Sequence, residues 1–327
     1  MSLENSVNSA DPVKITVWII TYNQKQYIGG TLDSILSQKT DFRYEIILHD
    51  DASTDGTSDI VREYSEKYPD IIHAMIREKN MYQQGRFPEI LDWLISETKG
   101  EYVAMCEGDD FWCDDMKLAK QAAALDGCGE YSACVHNTRV LNIKTGEESL
   151  LNTRYDGERD LTLDDVVNGV SGLFHSSSVM ARSRLLCNIP EYKKLANVSD
   201  YPNALTFVRS GRIHYLPDVM SVYRRCSSDT AWSSNNESRK QRGRLIKSYE
   251  SNINMLECYR KYTDEKYAPV IDKAVNKYRY RKAVDSGHIW EVFGDKALMQ
   301  LFNQESVKQR IRIVLKALPL YLMLNKK

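Results

Sequence analysis

This chain lacks a strong net charge of either sign, paired cysteines, a long apolar run and a glycine-rich phosphate loop. Its 327 residues carry 44 Lys and Arg against 45 Asp and Glu, a formal charge of -1. No global positive field draws nucleic acid, so none is expected as a partner. Seven cysteines are scattered without a CxxC pair. An odd number without metal spacing reads as reduced, mostly buried thiols of an intracellular protein. The opening MSLENSVNSADP is polar and acidic, with no basic region leading into an apolar one, so it is not a secretory signal. No stretch has the roughly 20 apolar residues that span a bilayer. The expected location is cytoplasmic. Neither GxGxxG nor GxxxxGKS occurs, so a bound nucleotide would not have its phosphates cradled by glycine. There is no internal repeat.

The composition that remains, 42% hydrophobic and 27% charged, is that of a globular protein. Its length suits one large domain with an appendage or two modest domains. Residues 1–12 read as a disordered tail. β-Branched and apolar runs at 13–20, 44–48, 71–76 and 102–106 predict strands. Helical patterns fill the gaps at 25–38, 58–68 and 87–98, the first with Ile28, Leu32, Ile35 and Leu36 on one face. This alternation predicts an α/β fold with a mostly parallel sheet flanked by helices. Further on, 134–143, 177–181, 213–216 and 220–223 are short strand candidates, and 201–208 is helical. After Trp232 the composition shifts through SSNNESRKQRGR into a helical region, 233–327.

In such sheets ligands sit beyond the strand carboxyl ends. Three polar clusters fall there: Thr21, Tyr22 and Asn23 after the first strand, Asp50 and Asp51 after the second, and Glu107, Gly108, Asp109 and Asp110 after the fourth. The stretch DDASTDGTSDI is not an EF-hand loop, because Arg62 stands where its bidentate Glu belongs and a strand precedes it. Part of it is a strand-to-helix turn. Adjacent acids on a strand end also accept hydrogen bonds from a base or ribose. Carboxylates around a glycine, as in Glu107-Gly108-Asp109, are suited to ligate Mg²⁺ or Mn²⁺, which holds a diphosphate in turn. Asp114 and Asp115 are read instead as acids at a helix N-terminus.

With these residues placed, VWIITYN, TLDSILSQ, YEIILHDDASTDGTSDIV and KGEYVAMCEGDDFW, in that order, resemble the N-terminal half of the family 2 inverting glycosyltransferases. That resemblance implies a GT-A (Rossmann-like) domain over 13–232. It divides into a nucleotide-sugar half, 13–125, and an acceptor half, 126–232. It implies a nucleotide-sugar donor, usually UDP-linked, a glycan or lipid-linked acceptor, and a divalent metal on a D-x-D-like motif. Here the motif has Glu107 in place of the first Asp, so Asp109 is the firmer ligand. By the same resemblance Thr21, Tyr22, Asn23, Asp50, Asp51 and Gly108 line the nucleotide site, and Asp51 resembles the uracil-binding acid. VSDYPNALTFVRSGRIHYLPDVMSVYR resembles the stretch that carries the catalytic base, here Asp200. An in-line displacement needs such a base to take the acceptor proton. Read from its position alone, Asp200 is a first-turn helix acid.

Several residues keep two readings. His175 and Ser177, in GLFHSSSVMAR, contact donor sugar or acceptor, or His175 is structural. Trp112 stacks on a sugar or plugs the core. Arg86, in QQGRF, approaches the nucleotide; Arg224 and Arg225 meet the diphosphate or are surface charge. Asp110 belongs with the acceptor and sugar candidates, and Asp229 is the fallback base. Two other functional classes compete. A nucleotidyltransferase needs a glycine- and basic-rich loop after its first strand, where this chain has TYNQKQY. A non-catalytic carbohydrate-binding relative is disfavoured by Asp109 and Asp200. In the tail SVKQRIRIVLKALPLYLMLNKK, Ile311, Val314, Leu315 and Leu318 fall at helical spacing with Arg312 and Lys316 between them. These residues pack on the catalytic domain or a second subunit, or lie in the headgroup plane at the inner face of the cell membrane.

Overall fold

A computed structural model describes residues 11–169, 172–187, 189–196, 199–225 and 238–324, with the side chains of 169, 238–241 and 316–324 left undescribed. Contacts divide the chain into two compact units: Met1–Asn188 with Asn203–Ser234, and Ile189–Pro202 with Asn235–Lys327. The first unit is interrupted by a short stretch, 189–202, that clusters with the C-terminal residues. Asp229 and residues 1–10 lie outside the described residues.

The first unit opens with β1 (Val13–Thr21), α1 (Lys25–Leu36), β2 (Arg43–Asp50), α2 (Thr57–Lys67), β3 (Ile72–Ile76), α3 (Phe87–Glu97) and β4 (Tyr102–Glu107). After these come β5 (Phe111–Trp112), α4 (Lys117–Gly127), β6 (Tyr131–Asn142), β7 (Glu148–Leu150), β8 (Arg159–Leu161) and α5 (Leu163–Gly169). A 3-10 turn, Ser176–Ser178, leads into β9 (Met180–Arg182). The sheet order is β3-β2-β1-β4-β9-β6-β10-β5, with β10 being Arg212–Arg225. β1 pairs in parallel with β2 and β4, and β2 with β3. β9 is antiparallel to both β4 and β6, while β10 runs parallel to β6. The chain thus builds outward from β1 to β3, then returns to place β4 on the other side of β1. Strand order reverses at β1/β4, which opens a crevice at their carboxyl ends.

Local sequence explains the main departures from expectation. The two short strands expected at 213–216 and 220–223 are one strand, β10. Pro217, which has no N–H to give a ladder, sits where the β6 register jumps between Leu216 and Val219. The strand expected over 177–181 begins only at Met180, because residues 176–178 coil into the 3-10 turn. The helix after the acids starts at Lys117, where Asp114 accepts from the Met116 N–H at 2.8 Å. The expectation of mostly buried thiols fails. Among the described cysteines only Cys106 and Cys134 are buried, and Cys113 and Cys187 are exposed.

The core between sheet and helices is formed by Ile15, Val17 and Ile19 of β1, Ile46 and Leu48 of β2, and Ile28, Leu32 and Ile35 of α1. Each such side chain contributes about 1.5–3 kcal/mol on burial. Leu36, expected on the same face of α1, packs at its edge.

The second unit holds α6 (Glu191–Lys194) and α8 to α12, these being Ser238–Tyr262, Ala268–Ser286, Ile289–Gly294, Lys296–Gln304 and Val307–Leu324. α7 (Asp200–Ser210) has its first turn in this unit's share of the chain. Tyr280, Ala283, Ile289, Val292, Leu298, Phe302 and Ile313 form this unit's own apolar core. Among the described residues no helix is long and apolar enough to cross a membrane.

Gly100 joins α3 to β4 where a Cβ would fall 2.5 Å from the Thr16 N and 2.7 Å from the Ile15 carbonyl carbon. Both are backbone atoms of β1 and neither swings aside. Gly100→Ala should therefore destabilise the first unit by about 1–3 kcal/mol, read as a lowered urea midpoint by tryptophan fluorescence. An unchanged midpoint would show that β1 and β4 separate at little cost.

Candidate active site

The strand ends of β1, β2 and β4 are tied together by side chains on the loops that follow them. Asn23, with a left-handed φ of 52°, donates its N–H to Ser53 Oγ at 2.9 Å and accepts the Thr54 N–H on Oδ1 at 2.8 Å. Asp50 is wholly buried. Its Oδ1 accepts from Ser53 Oγ at 2.5 Å and its Oδ2 accepts from the Ser58 hydroxyl. Ala52 is held at φ 64°, a conformation that costs about 1 kcal/mol or more for a residue with a Cβ. Asp55 accepts the Lys25 N–H at 3.0 Å and Thr57 Oγ1 at 2.6 Å, joining the starts of α1 and α2. The turn reading of DDASTDGTSDI thus accounts for Asp50 and Asp55.

Asp51 works across a longer distance. Its two carboxylate oxygens accept the backbone N–H groups of Met81 at 2.7 Å and Tyr82 at 3.0 Å. This closes the turn of residues 80–86 onto the end of β2. Arg86 sits at the far side of that turn, its N–H on the Met81 carbonyl and its guanidinium on Glu89. The structure does not bring the Arg86 side chain to the acids of β4.

At the end of β4, Gly108 is enforced by space. A Cβ there would meet Gln24 Oε1 at 2.4 Å and Thr21 Oγ1 at 2.6 Å. Thr21 in turn donates to Gln24 Oε1 at 2.7 Å. Tyr22 is half-buried beside them. Glu107 is exposed, its Oε1 accepting from Ser176 Oγ at 3.1 Å, and Asp109 is half-buried. Asp110 is fully buried. Its Oδ1 accepts the Arg224 N–H at 2.9 Å, while its Oδ2 has no hydrogen-bond partner and lies 3.5 Å from His175 Nδ1. Burial, then the charges of Asp109 and Glu107, hold the Asp110 carboxyl well above the usual carboxylate range against the pull of Arg224. Arg224 donates from Nη1 to the Asp109 carbonyl at 2.8 Å, with its guanidinium over Tyr27 and Phe111. The surface-charge reading of Arg224 is thereby excluded, whereas Arg225 is exposed.

Asp109 and Glu107 offer hard oxygen donors, and beside them a buried carboxyl oxygen is left unbonded. That chemistry fits Mg²⁺ or Mn²⁺. Among the described residues no group of three His, Cys, Asp or Glu side chains is arranged to hold an ion alone. Two carboxylates alone would leave most coordination positions of such an ion open.

Behind the acids lies a polar scaffold that the sequence did not reveal. Lys117, first residue of α4, is fully buried, donates to Gln121 Oε1 at 2.8 Å and sits 4.0 Å over the Trp112 ring. Gln121 donates to the Cys134 and Ser178 carbonyls at 2.9 and 2.8 Å. Trp112 Nε1 donates to the Ser177 carbonyl at 3.2 Å. With 3% of its surface exposed, Trp112 fits the core-plug reading rather than sugar stacking. Ser177 is buried too, its hydroxyl 3.0 Å from Ser221 Oγ and 2.9 Å from His175 Nδ1. His175 stacks on Tyr223 at 4.1 Å, and burial pushes its imidazole down to about 4, so it is neutral near pH 7. Lys117 follows four acids within eight residues, so on composition alone it reads as one more solvated charge. The available signal was its position one turn before Gln121 on an apolar helix face.

Asp200 opens α7 and is half-buried; desolvation pushes its carboxyl up to about 6.

Burial also pushes the Lys117 ammonium down to about 7, whereas an unfolded lysine titrates near 10.4. Between those values the unfolded chain binds a proton that the folded chain lacks. Stability should therefore rise with pH across this window, by at most about 1.4 kcal/mol per unit from this group. Lys117→Met should flatten that slope in urea titrations at pH 7, 8 and 9. An identical slope in the variant would place the charge elsewhere.

Comparison with known proteins agrees with this geometry. An uncharacterized protein of Mycobacterium tuberculosis is 37% identical over 212 residues, 63% of this chain and 57% of that one, so the match spans little more than half of the relative. The crystal structure of S. aureus TarS 1–349 in complex with UDP-GlcNAc aligns with a TM-score of 0.58 at 18% identity, covering 92% of this chain and 80% of that one. Mannosyltransferase PcManGT from Pyrobaculum calidifontis, in complex with GDP-Man and Mn²⁺, aligns at 0.55 and 17%, covering 100% and 85%. Both likenesses are of fold, and with the observed sheet they bear out the expected GT-A arrangement. Residues 16–183, more than half of the 327, match the family model described as Glycosyl transferase family 2, and the chain belongs to that family.

Proposed function

We propose that this chain transfers a sugar from a nucleotide-diphosphate donor, UDP-linked, to a hydroxyl of a glycan or lipid-linked acceptor, with inversion at the anomeric carbon. The observation that carries the reading is the crowding of Glu107, Asp109 and Asp110 at the carboxyl end of β4, beside β1, where strand order reverses. Acids so placed, without a glycine loop, suit a diphosphate that comes with its own cation. The two aligned structures support the donor class: one is a complex with UDP-GlcNAc, the other with GDP-Man and Mn²⁺.

In this reading Thr21, Tyr22, Asn23, Asp51 and Gly108 frame the nucleotide. Asp51 keeps a second lone pair on each oxygen for a base N–H, because the Met81 and Tyr82 amides use only one apiece. Asp50 acts indirectly, by holding the loop that carries Asn23's partners. Arg86 reaches a nucleotide only by exchanging Glu89 for it. Glu107 and Asp109 hold Mg²⁺ or Mn²⁺, which when bound stabilises the charge that develops on the leaving diphosphate. Arg224 fixes the backbone of that acid loop. Asp200 is the general base: the acceptor oxygen attacks the anomeric carbon, the bond to the diphosphate breaks, and Asp200 takes the hydroxyl proton.

Donor affinity should depend on the cation. Calorimetry with UDP-sugars and GDP-sugars should give binding with Mg²⁺ or Mn²⁺ that is lost on adding chelator, and Asp109→Asn should lose cation-assisted binding and turnover together. Equal affinity with and without chelator would remove the metal from the reading.

Asp200→Asn should leave donor binding nearly intact while cutting turnover by about 10²–10⁴-fold. A base works deprotonated, so with its carboxyl near 6, kcat/KM should fall about tenfold per pH unit below that value and level off above it. The variant should lack this limb. A variant with normal turnover would dismiss Asp200 as the base.

A further inference from the structure

Among its described residues α12 is an amphipathic helix with two apolar faces, one of them covered. Ile313 is 5% exposed and packs with Val314 into the second unit's core. Val307, Ile311 and Leu315 are 63%, 54% and 58% exposed. At about 100° per residue, steps of four place these three in one stripe, on the side of the helix away from Ile313. The helix is thus already docked, and its second apolar face is surplus to the fold.

The charges around that stripe identify what covers it. Lys308 and Arg312 flank it and join Ile311 and Leu315 around one shallow depression. Arg310, on the opposite flank, is half-buried with its Nε shielded from solvent. The sequence of α12, VKQRIRIVLKALPLYLML, contains no carboxylate. This basic excess is local, since the whole chain carries a formal charge of -1. An isologous dimer through this stripe would set two basic rims against each other. The described stripe is also short, about 12 Å at 1.5 Å per residue, too little for the ~800 Å² per partner of a stable protein interface. A surface that is negative and apolar just beneath satisfies both features.

We propose that the outer face of α12 docks on an anionic lipid bilayer. Val307, Ile311 and Leu315 enter the headgroup boundary while Lys308 and Arg312 meet lipid phosphates. Contact of this size is reversible and salt-sensitive, so the protein samples the membrane surface rather than being anchored in it. The proposal does not rest on the catalytic reading, because none of these residues is assigned to the donor or acceptor site.

The test is co-sedimentation of the full chain with vesicles of phosphatidylcholine alone and of phosphatidylcholine with one quarter phosphatidylglycerol. Binding to the anionic vesicles, weakened in high salt and absent on neutral ones, is the expected result. Lys308→Glu with Arg312→Glu should reduce partitioning at least tenfold, given about fivefold per cation removed. Ile311→Asp with Leu315→Asp should abolish it. All four positions are exposed, and an unchanged far-UV circular dichroism spectrum and urea midpoint in each variant verify folding. Equal binding to both vesicle types, no binding to either, or variants that sediment like the parent would each overturn the proposal. So would a parent dimer in sedimentation velocity that Ile311→Asp converts to monomer, because the face would then be an interface between copies.

Discussion

Like charges confined at one strand end are the constraint around which the first unit is organised. Glu107, Asp109 and Asp110 lie within four residues, and the last is wholly buried. A buried carboxylate beside two others is costly unless protonated, hydrogen-bonded or paired with a cation. The protein gives partial relief. Asp110 receives one N–H from Arg224, and its other oxygen is left facing His175. Of this cluster, the buried Asp110 Oδ2 is the oxygen left without a hydrogen bond.

Holding such a cluster in place requires rigidity behind it, supplied by polar groups inside the core. The 3-10 turn that carries Ser176 and borders His175 is held by its carbonyls: Ser177's accepts from Trp112 and Ser178's from Gln121. Both donors meet at the buried Lys117. A lysine inside an apolar core is tolerated because its amine has a hydrogen-bond acceptor, an aromatic face beneath it and a lowered proton affinity. The arrangement links the first turn of α4 to Glu107 without passing through solvent.

The rim opposite is built by the same economy. Asp50, Asp51 and Asp55 satisfy loop backbone and hydroxyl groups, and Asn23 crosses from the β1 loop to the β2 loop. A single dense polar segment thus orders three successive loops, including the turn that leads to Arg86. Backbone conformations unfavourable to residues with side chains, at Asn23 and Ala52, occur here. These loops frame the crevice between the ends of β1 and β4.

The alternation of apolar runs with amphipathic helices was enough to determine the parallel half of the sheet, because β1 to β4 and α1 to α3 are each specified by residues adjacent in the chain. It also determined that Thr21, Asp51 and Asp109 would share a rim, since in a doubly wound sheet every parallel strand ends on the same side. Local periodicity could not show that β9 runs antiparallel between β4 and β6, or that β10 bridges its proline as a single strand. Pairing partners far apart in sequence decide both. Nor could it show which polar residues turn inward. Lys117, Asp110 and Ser177 have side chains as hydrophilic as their exposed neighbours, and only the tertiary structure, which gives Asp110 and Ser177 partners on β10, decided that they would be buried.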